Sequence, residues 1–155
     1  MKKIHYIIII LFVILLSLDQ ITKIVFINKN IDIIPNILKL TYTENTGGAF
    51  GVGNGNILTF IFTNIIVLGI IVKFMITQKD NLDNITYIIL TIILSGGVGN
   101  FIDRIFRGHV IDFIDITEII NFPKFNLADI YIVCGWIILA FIFAKNTVKI
   151  RKEVK

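Results

Sequence analysis

The chain has 155 residues, 55% of them hydrophobic, with 15 Lys and Arg against 11 Asp and Glu, a formal net charge of +4. With a mean hydropathy of +0.85, it is too apolar for an ordinary soluble domain and reads as a membrane protein of one-domain length. A single cysteine, Cys134, excludes an internal disulfide and any Cys-based metal spacing, and basic residues gathered at chain ends and turns suit anionic lipid rather than nucleic acid.

The chain begins MKKIHYIIIILFVILLSL. Two lysines before an apolar run also describe a secretory signal peptide, but no small-x-small cleavage site follows Leu18. Asp19 and Gln20 come next, then apolar positions resume at Ile21, Ile24 and Val25, so a retained first span is expected over 4–27. Asp19 and Lys23 are four apart and share a helix face, where they can pair.

A mixed stretch, 28–56, follows. Asp32–Pro35 is expected to turn, and Leu38–Thr43 (LKLTYT) alternates as a strand does. The glycine-rich run ENTGGAFGVGNGN suits tight turns and close approach of another backbone. A small sheet outside the membrane is expected here. A second span is expected over 57–76, a short turn over 73–84, and a third span over 85–104. An acid-rich loop is expected from Asp103 to Lys124, a fourth span over 127–145, and a basic tail after it. One domain, 1–155, is expected.

The strictly uncharged runs fall short of the about 20 residues that a spanning helix needs. Each reaches that length only by drawing in polar residues at one end: Asp19 and Gln20, Asn100 with Asp103 and Arg104, and Asp129. With both termini in the cytoplasm, nine basic residues lie inside (Lys2, Lys3, Lys73, Lys79, Lys145, Lys149, Arg151, Lys152, Lys155). Six lie outside (Lys23, Lys29, Lys39, Arg104, Arg107, Lys124). The positive-inside rule favours this arrangement. It brings Asp19, Asn54, Asn56, Asn100, Asp103 and Asp129 to one level near the outer face.

Five of the eleven acids, Asp103, Asp112, Asp115, Glu118 and Asp129, fall between residues 95 and 129. Carboxylates at the mouth of a membrane structure are costly and need a reason. Two carboxyls sharing a site cannot both ionise readily, so one keeps a proton and the pair can act as general acid and general base. Three readings stand side by side: a hydrolytic site, an ion or proton pathway, and structural charge, such as an interfacial Asp103–Arg104 pair with Asp115 and Glu118 solvated. An ion pathway requires polar residues through the whole membrane depth, yet the inner halves are apolar, as in IIIILFVILL. Ser17 and Ser95 lie within spans, outside any G-x-S-x-G setting, so a Ser–Lys pair with Lys23 has nothing further in its favour. No HExxH occurs, and no metal or cofactor is expected. Cys134 reads as a small packing residue. Ser95, Gly96, Gly97 and Gly99 form a small-residue face where another helix can approach, and Asn100 beside them suits either an interhelical hydrogen bond or a site role.

Five motifs in order then resemble the lipoprotein signal peptidases, the type II signal peptidases of bacteria. They are DQITK (Asp19–Lys23), ENTGGAFG (Glu44–Gly51), GGVGNFIDR (Gly96–Arg104), HVIDFID (His109–Asp115) and FNLAD (Phe125–Asp129). The resemblance covers nearly the whole chain. It implies an all-α integral membrane protein with four transmembrane helices and a small extracytoplasmic β-cradle. It implies an aspartic endopeptidase that removes the signal peptide from diacylglyceryl-modified prolipoproteins, cutting before the lipidated cysteine. It places the catalytic pair on Asp112 and Asp129, where composition could not choose Asp112 over Asp115. Asn45, Gly47, Asn100, Arg104, Asn126 and Ala128 match site positions, with Asn45 expected to touch the substrate backbone and Arg104 to hold a carbonyl or carboxylate. Asp19 and Lys23 match supporting positions. Prolipoproteins and membrane lipids are the expected partners, with no nucleic acid, and nothing demands more than a monomer. The location implied is the bacterial cytoplasmic membrane, with the site near the outer face. Two positions depart from the family: Gly48 and Gly97 stand where alanine is usual.

Overall fold

A computed structural model describes residues 2–48 and 56–153. The glycine-rich residues 49–55, with Asn54 and the end of the second motif, lie outside the described residues. Four helices carry the chain: α1 (Lys2–Val25), α2 (Ile57–Thr77), α3 (Asn84–Phe106) and α4 (Leu127–Glu153). Each contains a stretch long and apolar enough to cross a membrane. Isoleucine is a modest helix former in water. In lipid, however, each backbone N–H and C=O must be satisfied within the segment, and a helix does that. Local signals set the ends. The Asp83 carboxylate accepts from Thr86 N at 2.8 Å and caps α3. Asn28, at φ 57°, turns the chain away after α1.

Helix α3 is the centre of the bundle. Its apolar window is 67% buried, against 6% for α1 and α2 and 17% for α4. The outer three show lipid-facing Ile, Val and Phe such as Ile9, Phe62 and Phe141. Small residues on α3 allow the close packing. A Cβ at Gly96 would strike the Ala128 carbonyl of α4, and one at Gly99 the Asp19 carboxylate of α1. Ile89, Leu90 and Ile93 of α3 pack with Ile71 of α2 and Leu139 of α4 in the apolar core.

Three antiparallel strands, β1 (Asn30–Ile34), β2 (Leu38–Asn45) and β3 (Val110–Asp115), form one sheet in the order β1-β2-β3. Pro35 and Asn36, the latter at φ 59°, make the tight β1–β2 turn. The turn expected at Asp32–Pro35 therefore lies later, because Asn30–Ile34 is a strand. The stretch 103–124 is not a loop throughout: Asp103 and Arg104 belong to the last turn of α3, and Val110–Asp115 is a strand. The first span ends at Val25 rather than 27, and Lys73 lies within α2. The third helix runs on to Phe106 and the fourth to Glu153.

Candidate active site

The sheet delivers two side chains. Thr43 pairs with Asp112 and Asn45 with Val110, so Asn45 stands diagonally across from Asp112 on the same face. A register shift between Leu40 and Thr43 marks a bulge and sets this end of β2. The Asn45 amide donates from Nδ2 to Asp112 Oδ2 at 2.9 Å. Its oxygen accepts from Gly47 N at 2.9 Å, which fixes the way the amide faces. Asp112 is 3% exposed. Burial pushes its carboxyl up to about 7, and the nearby charge of Asp129 adds to that.

The start of α4 delivers the second carboxyl. Asn126 N donates to Asp129 Oδ2 at 3.1 Å, and Asp129 N donates to Asn126 Oδ1 at 3.0 Å. This reciprocal pair is a capping box with Asn126 at its head. Asn126 also donates from Nδ2 to Asp112 Oδ1 at 2.7 Å. One fully buried residue thus ties the two carboxyls, through its side chain to Asp112 and through its backbone N–H to Asp129.

A buried ionic network holds this pair from behind. Lys23 Nζ lies 2.9 Å from both Asp19 Oδ2 and Asp103 Oδ2, and all three side chains are fully buried. The same ammonium donates to Asn100 Oδ1 at 2.9 Å, and Asn100 Nδ2 donates to Asp129 Oδ1 at 2.8 Å. Arg107 reaches Asp103 Oδ1 from the next helical turn, and Gln20 donates to the same oxygen at 3.2 Å. Asp19 Oδ1 accepts from Ala128 N at 3.0 Å, pinning the first turn of α4 to α1. Two acids and two bases here balance in charge, as buried ions require.

Arg104 braces the front. It donates to the carbonyls of Gly47 at 3.1 Å and Asn100 at 3.3 Å, and its guanidinium lies 5.3 Å from the Phe60 ring centroid. A cavity of 340 Å³ opens before the two acids, with Asn45, Asn100, Arg104, Asp112 and Asp129 on its wall. Apolar residues, among them Phe125, Ile130 and Val133, line the remainder.

Every expected site residue, Asn45, Gly47, Asn100, Arg104, Asp112, Asn126, Ala128 and Asp129, with Asp19 and Lys23 behind, lies in this one connected cluster. Asn100 links α1 to α4 through its bonds with Lys23 and Asp129, as the interhelical reading expects, and it also borders the cavity. Other expectations fail. Asp103 pairs with Lys23 and Arg107 rather than Arg104, because helical spacing favours a partner four residues on. Asp115 is buried rather than solvated, with Thr117 donating to it and Lys124 at 3.5 Å. Thr117's bonds hold its carboxyl below the usual range although burial pulls the other way. Glu118, by contrast, is exposed as expected, and pairs with Lys39 of β2. Asn56 caps α2 instead of joining the cluster. Lys23 has acids and an amide as partners, and Ser95 donates within its own helix. Sequence reasoning gave no role to Gln20, Asp103 or Arg107 in the network, although ionisable residues at a span end are themselves a signal. Among the described residues no three His, Cys, Asp or Glu side chains are placed to hold a metal ion.

Known proteins resemble this chain in sequence and fold. A family model described as signal peptidase (SPase) II matches residues 10–145. A lipoprotein signal peptidase of Caldicellulosiruptor bescii is 37% identical over 133 residues, covering 83% of this chain and 85% of its own. One from Staphylococcus aureus is 38% identical over 146 residues, with 88% of each chain covered. A solved structure described as a bacterial membrane enzyme, obtained by the in meso method at 2.3 Å, superposes with a TM-score of 0.82 at 32% identity, covering 90% of this chain and 88% of that one. A second, at 1.9 Å, gives 0.77. With motifs, helices, sheet and buried acids in accord, the chain belongs to the signal peptidase II family.

Proposed function

We propose that this chain removes the signal peptide from prolipoproteins carrying a diacylglyceryl group on cysteine, with Asp112 and Asp129 as the catalytic pair. The observation that carries the reading is Asn126 held to both carboxyls, by its side-chain Nδ2 to Asp112 and by its backbone N–H to Asp129, at the wall of a cavity whose remaining lining is largely apolar. Membership of the signal peptidase II family supports the same activity.

The pair holds one proton. Asp129 sits in the first turn of α4, where the helix dipole favours negative charge, so the proton rests on Asp112. Ionised Asp129 takes a proton from water, and the resulting hydroxide adds to the scissile carbonyl. Asp112 gives its proton to the carbonyl oxygen. The tetrahedral intermediate then collapses. The carbon–nitrogen bond breaks as Asp129 gives its proton to the leaving amine and Asp112 takes one back from a hydroxyl of the intermediate, so the signal peptide leaves as an acid and the pair is reset. The amides of Asn45, Asn100 and Asn126 hold both carboxyls in place. The lipid and the signal segment anchor the peptide, and that binding energy orients the bond.

The chain lies in the bacterial membrane with both termini in the cytoplasm and the site near the outer face, supported by nine basic residues on the inner side against six on the outer. It works as a monomer, since all members of the cluster come from one chain.

The test is cleavage of a lipobox peptide with a diacylglyceryl cysteine by the purified protein in detergent, beside the same peptide without lipid. Cleavage before the lipidated cysteine, lost in Asp112→Asn and Asp129→Asn, is the expected result. Loss with Asp115→Asn alone would move the pair, and no cleavage by folded protein would overturn the reading.

A further inference from the structure

Two cavities meet at Asp112. The first, of 340 Å³, also reaches Asp129 and is walled by α4 residues such as Ile130 and Val133. Val133 is 55% exposed and Ile137, a turn further on, 63% exposed, so this cavity continues into the lipid-facing flank of α4. The second, of 560 Å³, lies between the end of β2 and residues 117–124. Thr43, Glu44, Thr46, Thr117 and Asn121 line it, all polar and all outside the membrane-spanning helices. Asn45, Gly48, Asp112, Phe122, Pro123 and Lys124 border both.

We propose that the second cavity is a binding subsite for the polar segment that follows the lipidated cysteine, the early residues of the mature lipoprotein. The inference rests on the peptidase reading and adds a place for the other half of the substrate. A peptide with its scissile carbonyl at Asp112 has two ways to leave. The lipid and the apolar signal segment gain by burial against Ile, Val and Phe in the first cavity. The chain beyond the lipidated cysteine gains nothing there, whereas hydroxyls and an amide in the second can satisfy its backbone.

The chemistry of the wall narrows the ligand. Glu44 accepts from Tyr42 Oη at 2.8 Å, and Lys124 lies 3.5 Å from Asp115. Glu44 and Lys124 thus have partners, and beside Asp112 the rest of the wall offers hydroxyls and amides together with Gly48, Phe122 and Pro123. Extended backbone and small uncharged polar side chains fit that lining.

Two diacylglyceryl-cysteine peptides test this on the purified full chain in detergent. One ends at the lipidated cysteine as an amide, and the other continues for four uncharged polar residues. The native protein should cleave the longer with kcat/KM about fivefold higher or more. Asn121→Trp and, separately, Thr46→Phe fill the cavity and should bring that ratio close to one. Both peptides are run on one preparation, so the ratio does not depend on how much of it is folded. Equal cleavage of the two peptides by the native protein would overturn the subsite and leave the cavity as a route for solvent. A ratio that survives both filling variants would overturn it as well. Cleavage of neither peptide would sink the peptidase reading itself, and the subsite with it.

Discussion

Lys23 Nζ stands 2.9 Å from the amide oxygen of Asn100, a residue 77 positions away on another helix. Asn126 Nδ2 donates to the same oxygen at 3.2 Å. With two donors on that atom, the Asn100 amide can face only one way, and its nitrogen meets Asp129. Asn100→Leu keeps the shape and removes both functions. It should lower kcat by about 10²-fold, the scale of losing one well-placed donor, while the thermal midpoint in detergent moves little. A large fall in the midpoint with kcat intact would assign Asn100 to the fold alone.

Lys23→Met is a different experiment. It leaves Asp19 and Asp103 buried with one counter-ion fewer, and such breaks cost about 3–5 kcal/mol. Thermal unfolding in detergent should register a marked drop. A native-like midpoint would mean that the acids had taken up protons, which a restored midpoint loss at higher pH would reveal.

Asp112→Asn and Asp129→Asn should each reduce cleavage by about 10²–10⁴-fold, with the protein still accumulating in the membrane. Asp115→Asn should retain most activity, because Asp115 faces Thr117 and Lys124 rather than the pair. Initial rates on the lipidated peptide, with membrane levels by immunoblot, settle the comparison.

The pH profile follows from Asp112, pushed up to about 7. The mechanism needs its protonated form, so kcat/KM should fall as pH rises through about 7. Stability runs in the same direction. In the unfolded chain this carboxyl ionises near ~4, while in the fold it stays neutral up to about 7. Its contribution to stability therefore declines between those values and is flat above them. The Asn45 hydrogen bond lowers the value, so Asn45→Ala should move the descending limb to higher pH. A limb that stays in place would sever Asp112 from the rate.

Two glycines two positions apart on α3 should diverge. Gly97→Ala puts a methyl 2.7 Å from Leu68 Cδ2, the end of a flexible side chain that can move aside. Its effect should lie within about 0.5 kcal/mol. Gly99→Ala drives a methyl into the Asp19 carboxylate, and the ion network must shift. A loss of about 1–3 kcal/mol is expected, read by unfolding in detergent.

The helices were legible because long apolar runs admit few other structures in a membrane. The sheet was legible only where the residues alternate, although β2 is half-buried along almost its whole length. LKLTYT alternates and was readable, whereas VIDFID is buried on nearly every residue and offers no alternation. β1 fails in the opposite way, since every residue is exposed and Ile, Asp and Ile carry no face. The choice between Asp112 and Asp115 depended on that missing strand. Three residues apart in a strand, they point to opposite faces, a fact invisible while the stretch reads as a loop. Asp103 was visible as an acid at a span end, but its partner Lys23 lies 80 positions earlier, beyond any local pattern.

Asp19 and Lys23 pair within one helix, and this has a bearing on biosynthesis. During translation α1 emerges long before α3 exists to supply Asp103. A lone buried ammonium would resist partitioning into lipid, but this segment brings its own counter-ion and can enter as a neutral unit. The second acid arrives with α3, and Ala128 N completes Asp19 only when α4 begins. Asp112 comes from β3 and Asp129 from the start of α4, so the two acids can meet only once the chain has been made as far as residue 129.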